Sequence, residues 1–447
     1  MVNRTTASGR VLGPDERLTV EQAVCAYTYG MTDTLRTIMT TQNTSAGPLA
    51  GLRIIEISSF VAAPLCGLTL SQLGAEVIRI DPIGGASDYN RWPVTDQGES
   101  IYWTGLNKGK KSLAVNMRSD EGQALVQQLV TAPGPGNGIL VTNAGGRAWM
   151  SHATLAALRE DVITLEILGR RDGSPGVDYT VNAGLGFPMM TGPADHAGVV
   201  NHVLPAWDMA CGLHAALAIT AAARKRDTTG EGSQITLPLE DVALATAGTL
   251  GYFTEVQING HSRTSGGNAV YGTYGIDFLT SDNERFMIVA LTTRHFRDLT
   301  AVTGTTEAVE AVEAALGADF TTEADRYTHR EVLTALFSRW FREHNGSEVA
   351  AALDKTSILS ERYRSFETVV ESGELEKNPM FTTLEQPRIG SYLAAGHPAS
   401  FDGTHFTTGP APAVGEDSVT VLADILGTTA DHAAELAKNG TVGVPEH

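Results

Sequence analysis

A lone carboxylate stands out in the stretch Leu204-Pro205-Ala206-Trp207-Asp208-Met209-Ala210-Cys211-Gly212. Asp208 lies between a short apolar lead-in and a run of small apolar residues, Met209 to Ala223, which predicts a buried helix ending at Arg224-Lys225-Arg226. A carboxylate at the mouth of a buried helix is costly to desolvate unless it caps the helix or does chemistry. On this stretch alone both readings stay open. A second group is Asn107-Lys108-Gly109-Lys110-Lys111-Ser112, three lysines in four residues. Such a cluster usually forms a solvated loop, but between sheet elements of an acidic chain it also suits phosphate, which ammonium groups meet as point charges. Cys25, Cys66 and Cys211 are scattered, with no CxxC pair and no metal-ligand spacing, so no metal centre is expected and the thiols suit a reducing cytoplasm.

The chain that must position these groups has 447 residues, enough for two or three domains with ample core. A net charge of −19 opposes nucleic-acid binding, whose footprint is a basic face. The N-terminus lacks the charged-then-apolar pattern of a signal peptide, and no run of about 18 apolar residues is apparent. A cytoplasmic protein without membrane partners is the expectation. Residues 1–48 are polar and Thr-rich and read as a peripheral extension.

From Gly51 the pattern is βαβ: a strand over Leu52–Ile57, a helix over Pro64–Leu73 closed by Gly74, and a strand over Glu76–Ile80. A parallel pair with a right-handed crossover follows. Asp81 could pose as the ribose-binding acid of a dinucleotide fold. However, the turn Ser58-Ser59-Phe60-Val61-Ala62-Ala63 has none of the glycines that admit a pyrophosphate. Further strands at Leu113–Asn116, Ile139–Asn143 and Val162–Ile167 alternate with helices, which predicts an α/β open sheet. After Asp208 come a strand at Gln234–Leu237, a helix from Leu239, a loop at Ser265–Gly272, a hairpin over 273–291 and amphipathic helices over 294–355.

Taken together, Gly51-Leu52-Arg53 through Glu56, Pro64, Leu73 to Pro82, Asn107 to Leu113, Gly176-Val177-Asp178-Tyr179, Asp208 with Gly212, Thr229-Gly230-Glu231-Gly232, Asn378-Pro379-Met380-Phe381 and Pro410-Ala411-Pro412 resemble the family III CoA-transferases, in the family's order. The resemblance implies an α/β protein with a large Rossmann-like parallel-sheet domain built from both chain ends and a small α+β domain. It implies a first large-domain part over 49–235, a small domain over 236–345 and a return over 346–447. It also implies an interlocked homodimer and coenzyme A arriving as part of an acyl-CoA substrate, with no permanently bound cofactor and no metal.

On the same ground Asp208 falls on the catalytic aspartate. Val61, Ala62, Pro64, Arg79, Asn107, Lys108, Lys111 and Asn143 fall where the family holds CoA, and Gly266, Gly267 and Asn268 near its active-site glycine loop. An ionised, partly desolvated Asp208 would attack the thioester to give a mixed anhydride, with oxyanion donors expected from the start of its own helix. Racemases of this family carry a histidine in a Gly-His-Asp motif that here reads Gly176-Val177-Asp178, which disfavours proton abstraction; His196 and His202 lie nearby. The segments Val203–Asp208, Gly251 to Gly260 and Arg294-His295-Phe296 are most similar to members that move CoA between two carboxyls of one molecule, with intermolecular transfer between dicarboxylic acids as the alternative. The sequence departs from the family at Ala144-Gly145-Gly146-Arg147 and at Ser360–Ser365.

Overall fold

The computed structural model describes residues 47–196 and 198–445, so the extension expected over 1–48 lies almost wholly outside the described residues. The six expected strands and a further one that the sequence did not announce, Val442–Gly443, form one sheet. Its members are β1 (Arg53–Ile57), β2 (Glu76–Asp81), β3 (Lys111–Val115), β4 (Ile139–Thr142), β5 (Ile163–Leu168), β6 (Ser233–Pro238) and β14 (Val442–Gly443), and their order across the sheet is β14-β3-β2-β1-β4-β5-β6. Six are parallel and β14 alone runs antiparallel, against β3. Strands read as continuous apolar runs because both faces are covered. The Ala62–Gln72, Ala206–Thr229 and Leu239–Thr249 helices pack on one face, and the Asp120–Val130, Ser418–Leu426 and Ala430–Lys438 helices on the other.

The strand order reverses between β1 and β4. In a doubly wound sheet the crevice beyond the carboxyl ends of those two strands is where ligands bind. Here it is bounded by the Ser58–Val61 turn after β1 and by Asn143 after β4.

A second sheet, β7 (Tyr274–Leu279), β8 (Arg285–Ala290) and β9 (Leu359–Arg362), whose first two strands are the expected hairpin, packs with five helices between Thr293 and Leu353 around its own core of Tyr274, Phe286, Phe337 and Phe341. The return segment thus supplies the third strand of this sheet. The return then forms a hairpin of β10 (Phe381–Gln386) and β11 (Gly390–Ala395), and a small pair, β12 (Ser400–Phe401) and β13 (Thr404–His405), before it reaches the large sheet.

Two expectations change. The Asp208 helix starts three residues earlier than Met209 and runs on through the basic triplet to Gly230, whose left-handed φ of 75° ends it. This helix is also long and apolar enough to cross a membrane, contrary to the reading of the sequence. It packs instead as a core element, with Cys211, Ala215 and Ile219 fully buried.

Candidate active site

The Asp208 helix crosses the Ala62–Gln72 helix at very short range, and Gly212 makes this possible. A Cβ at Gly212 would stand 2.7 Å from the Ala62 carbonyl oxygen and 2.9 Å from Leu65 Cβ. Asp208 lies one helical turn before Gly212 on the same face, so the crossing directs it toward the N-terminal end of the Ala62–Gln72 helix at the β1–β4 crevice.

Asp208 is the third residue of its helix and does not cap it; the helix has no side-chain cap from its own Pro205. Asp178 caps it instead. One Asp178 carboxylate oxygen accepts from the Trp207 amide at 2.7 Å and from the Asp208 amide at 3.1 Å, and the other meets His202 Nε2. The Ala206 and Met209 amides donate to Leu204 and Pro205 carbonyls. All four initial amides of the helix are therefore occupied, and the oxyanion donors expected there are not free. The Ala62–Gln72 helix differs, because Val61 at its N-cap makes no side-chain cap and Pro64 has no N–H. Its Ala62 and Ala63 amides have no acceptor within the helix.

The Asp208 side chain is partly buried and makes no hydrogen bond among the described residues. Burial, and then the like charge of Asp178, push its carboxyl up to about 6. Among the described residues no cation offsets this. A carboxylate so placed is ionised at neutral pH yet poorly solvated, the state a nucleophile requires. Trp207 is fixed beneath it by Nε1 donating to Asn182 at 3.1 Å and by ring contact with Phe187.

The turn after β1 is held by four hydrogen bonds from three side chains. The Ser59 amide donates to Asn143 Oδ1, and Asn143 Nδ2 donates back to the Ser59 carbonyl at 2.8 Å. Arg79 donates to the Ser58 carbonyl, and the Phe60 amide, on a residue with φ 65°, donates to Asp88. Behind the turn lies a closed ionic network. Arg79 reaches Asp81, Asp88 and Asn107, while Lys110 donates to Glu56 at 2.9 Å, the Pro64 carbonyl at 2.8 Å and Asn107 at 3.0 Å. Asp81 is thus an internal partner of Arg79 and not a ribose acid.

The three lysines do not form one patch. Lys110 is buried with all three donors committed, Lys108 is largely buried with its ammonium on the Gly105 carbonyl, and Lys111 faces Glu76. Among the residues expected to hold CoA, Arg79 and Asn107 are buried in the network, whereas Val61, Ala62, Pro64 and Asn143 surround the crevice. The Gly267 amide donates to the Gly192 carbonyl and Asn268 to Asp277, which lays that loop on the segment leading into the Asp208 helix. A cavity of about 740 Å³ lies apart from Asp208, bounded by Tyr89, Trp103, Arg388, Pro412 and Val444.

The sequence displayed Asp178 within a recognised motif but not its task. The capping contact bridges 30 residues and becomes visible only in the fold.

Residues 49–418 match the model of CoA-transferase family III. The chain belongs to this family. It is 45% identical over 404 residues to a 2-methylfumaryl-CoA isomerase of Chloroflexus aurantiacus, covering 90% of this chain and 99% of that protein. A succinyl-CoA–D-citramalate CoA-transferase of the same organism is 25% identical over 411 residues, covering 87% and 96%. A crystal structure of a CAIB/BAIF family protein from Brucella suis superposes with a TM-score of 0.71 at 23% identity, covering 85% of this chain and all of that one, a likeness of fold. As a family III CoA-transferase the protein handles CoA esters, and the exposed face of Asp208 is where that chemistry has its candidate nucleophile.

Proposed function

We propose that the protein moves CoA from C1 to C4 of 2-methylfumaryl-CoA (mesaconyl-CoA), so that donor and acceptor carboxyls belong to one molecule. The observation that carries the reading is Asp208, ionisable, desolvated and free of hydrogen bonds at the mouth of the crevice, in a chain 45% identical to an enzyme named for that isomerisation. Its carboxylate oxygen adds to the thioester carbonyl, the C–S bond breaks, and a mixed anhydride and CoA thiolate result. The thiolate then attacks the aspartyl carbonyl, giving an aspartyl-CoA thioester and a free substrate carboxylate. The other substrate carboxylate attacks this thioester, and the returning thiolate cleaves the new anhydride at the substrate carbonyl, restoring Asp208. The Ala62 and Ala63 amides serve the oxyanions.

The nucleotide end of CoA lies along Val61, Ala62, Pro64 and Asn143; Lys108, buried on the Gly105 carbonyl, and Lys111, which opens β3 beside Glu76 at the amino edge of the sheet, are left out of this site. Arg79 and Asn107 support the turn from behind. Gly266, Gly267 and Asn268 cover the reacting atoms. The working unit is an interlocked homodimer, a reading supported by Leu213 and Leu217, exposed at 51% and 67% on the Asp208 helix itself, and by Val203 at 93%.

Mesaconyl-C1-CoA incubated with labelled free mesaconate tests the intramolecular route. C4-CoA with little label is expected. Full label entry at the rate of turnover overturns it in favour of transfer between separate dicarboxylic acids.

A further inference from the structure

Between the Tyr252–Asn259 helix and β7 the chain runs through residues 260–273 without helix or strand. Loops of this length are uncommon unless they bind or cover something. Both limbs of this one end on a single carboxylate. On the way out Arg263 Nε donates to Glu255 Oε2 at 2.6 Å, and on the way back the Tyr271 hydroxyl donates to Glu255 Oε1 at 2.9 Å. Arg263 and then Tyr271 hold the Glu255 carboxyl below the usual carboxylate range. The Arg263 guanidinium lies 4.5 Å from the centroid of the Tyr252 ring and 3.7 Å from that of Tyr271, so two rings sandwich the half-buried cation. This clasp is also tied to the Asp208 helix, since Tyr252 meets Phe187 edge to face at 5.1 Å and Phe187 contacts Trp207. The tip between the limbs is held more lightly. Among the described residues Gly266–Asn268 reaches the rest of the protein through two hydrogen bonds, Gly267 to the Gly192 carbonyl at 2.9 Å and Asn268 to Asp277 at 3.0 Å.

We infer that Glu255 is a positioning residue that keeps this loop closed while CoA is bonded to Asp208, so that water stays out and the freed diacid is retained. The inference rests on the reading of Asp208 as nucleophile and of Gly266–Asn268 as its cover, and deepens it by naming what holds the cover. Tying both limbs to one carboxylate shortens the freely moving segment from 260–273 to 264–270, which lowers the entropy cost of keeping the tip in place. Closure matters most at the aspartyl-CoA stage. The diacid is then held by no covalent bond, and the aspartyl carbonyl is open to any water that enters. Water adding to that carbonyl breaks the C–S bond, returns Asp208 as the carboxylate and yields CoA as the thiol, with one proton released to solvent. Each opening at that stage destroys a thioester without isomerisation.

Purified enzyme is incubated with mesaconyl-C1-CoA and labelled mesaconate, and the free CoA released, less enzyme-free hydrolysis, is counted against the C4-CoA formed. Wild type is expected to release little CoA per isomerisation. Glu255→Ala, which frees both limbs, should raise that ratio by about tenfold, and Tyr271→Phe, which frees one, by about twofold to fivefold. Arg263→Lys keeps the ion pair and should stay closer to wild type than Arg263→Met. A role confined to folding lowers kcat or the yield of active enzyme and leaves the ratio where it was, because each turnover is scored against its own losses. An unchanged ratio in folded Glu255→Ala overturns the inference; where that variant does not fold, an unchanged ratio in Tyr271→Phe does so. Label entering C4-CoA at the rate of wild-type turnover overturns the intramolecular route instead, and the hydrolysis ratio then tests the clasp with the free diacid as acceptor. Hydroxylamine trapping of wild-type Asp208 reports separately on the nucleophile.

Discussion

The Asp208 site and the Glu56–Arg79–Asp81–Asp88–Lys110 network both bury acidic groups on the same side of the sheet's carboxyl edge, yet they treat charge in opposite ways. In the network each carboxylate meets a cation: Lys110 meets Glu56, and Arg79 meets Asp81 and Asp88. Burial still lifts Asp81 to about 6, but against the pull of Arg79. Asp208 reaches the same value with an acidic neighbour and nothing to oppose it. A paired buried charge is a fastener, and the network fastens the turn after β1. An unpaired one is a standing cost that the fold tolerates only where chemistry uses it.

The sharpest way to break the comparison is Asp208→Asn. An amide is far less nucleophilic than a carboxylate and cannot restore the anhydride cycle, so kcat should fall by on the order of a thousandfold or more. The folded-state pKa of Asp208 lies above its unfolded value of 3.8, so its ionisation weakens the fold as pH rises from about 4 through about 6. The asparagine variant escapes this and should be more stable at pH 8 by roughly 1–2 kcal/mol. Retention of a tenth of wild-type kcat would leave Asp208 without a chemical role. The network predicts the reverse pattern. Lys110→Met strands Glu56 in the interior and should cost about 3–5 kcal/mol in denaturant unfolding. A loss below about 1 kcal/mol would mean that the network is not what holds the turn.

The smallest effect isolates Asp178. Asp178→Asn keeps an acceptor for the Trp207 and Asp208 amides, since asparagine caps helices about as well as aspartate. It removes the like charge that helps to lift Asp208. The nucleophile then stays ionised to lower pH, and the acidic limb of kcat/KM, expected near 6 in the wild type, should move down by less than about one unit. An unmoved or raised limb contradicts the electrostatic assignment.

Periodicity displayed the fold well. β1, β2, β4 and β5 fall within two residues of their expected bounds, because apolar runs between turn residues have few other homes in an α/β chain. Asp208 was legible for a similar local reason, being one charge in a small-residue run. The lysine loop misled, since three cations adjacent in sequence gave no sign that Lys110 faces a glutamate 54 positions earlier. The Asp178 cap and the Asn143 clamp likewise join residues 30 and 84 positions apart, and no local pattern encodes which side chain arrives there. The helix over Ile101–Asn107 was missed because its seven residues carry almost no period, though Ser100 caps it.

The last strand has a consequence for biosynthesis. β14 closes the open edge of β3, pairing Val442 with Val115, and Ser418 and Asp417 supply further partners for β3 amides. These partners emerge from the ribosome roughly 330 residues after β3 itself, a delay of some 15–65 s at ordinary translation rates of about 5–20 residues per second. During that interval β3 is an unpaired edge, a template for association with other nascent chains. Yield of native protein should therefore depend on elongation speed and on chaperones acting while the ribosome is still at work, and a chain cut short before Val442 should aggregate even though all but the last residue of its cores has been synthesised.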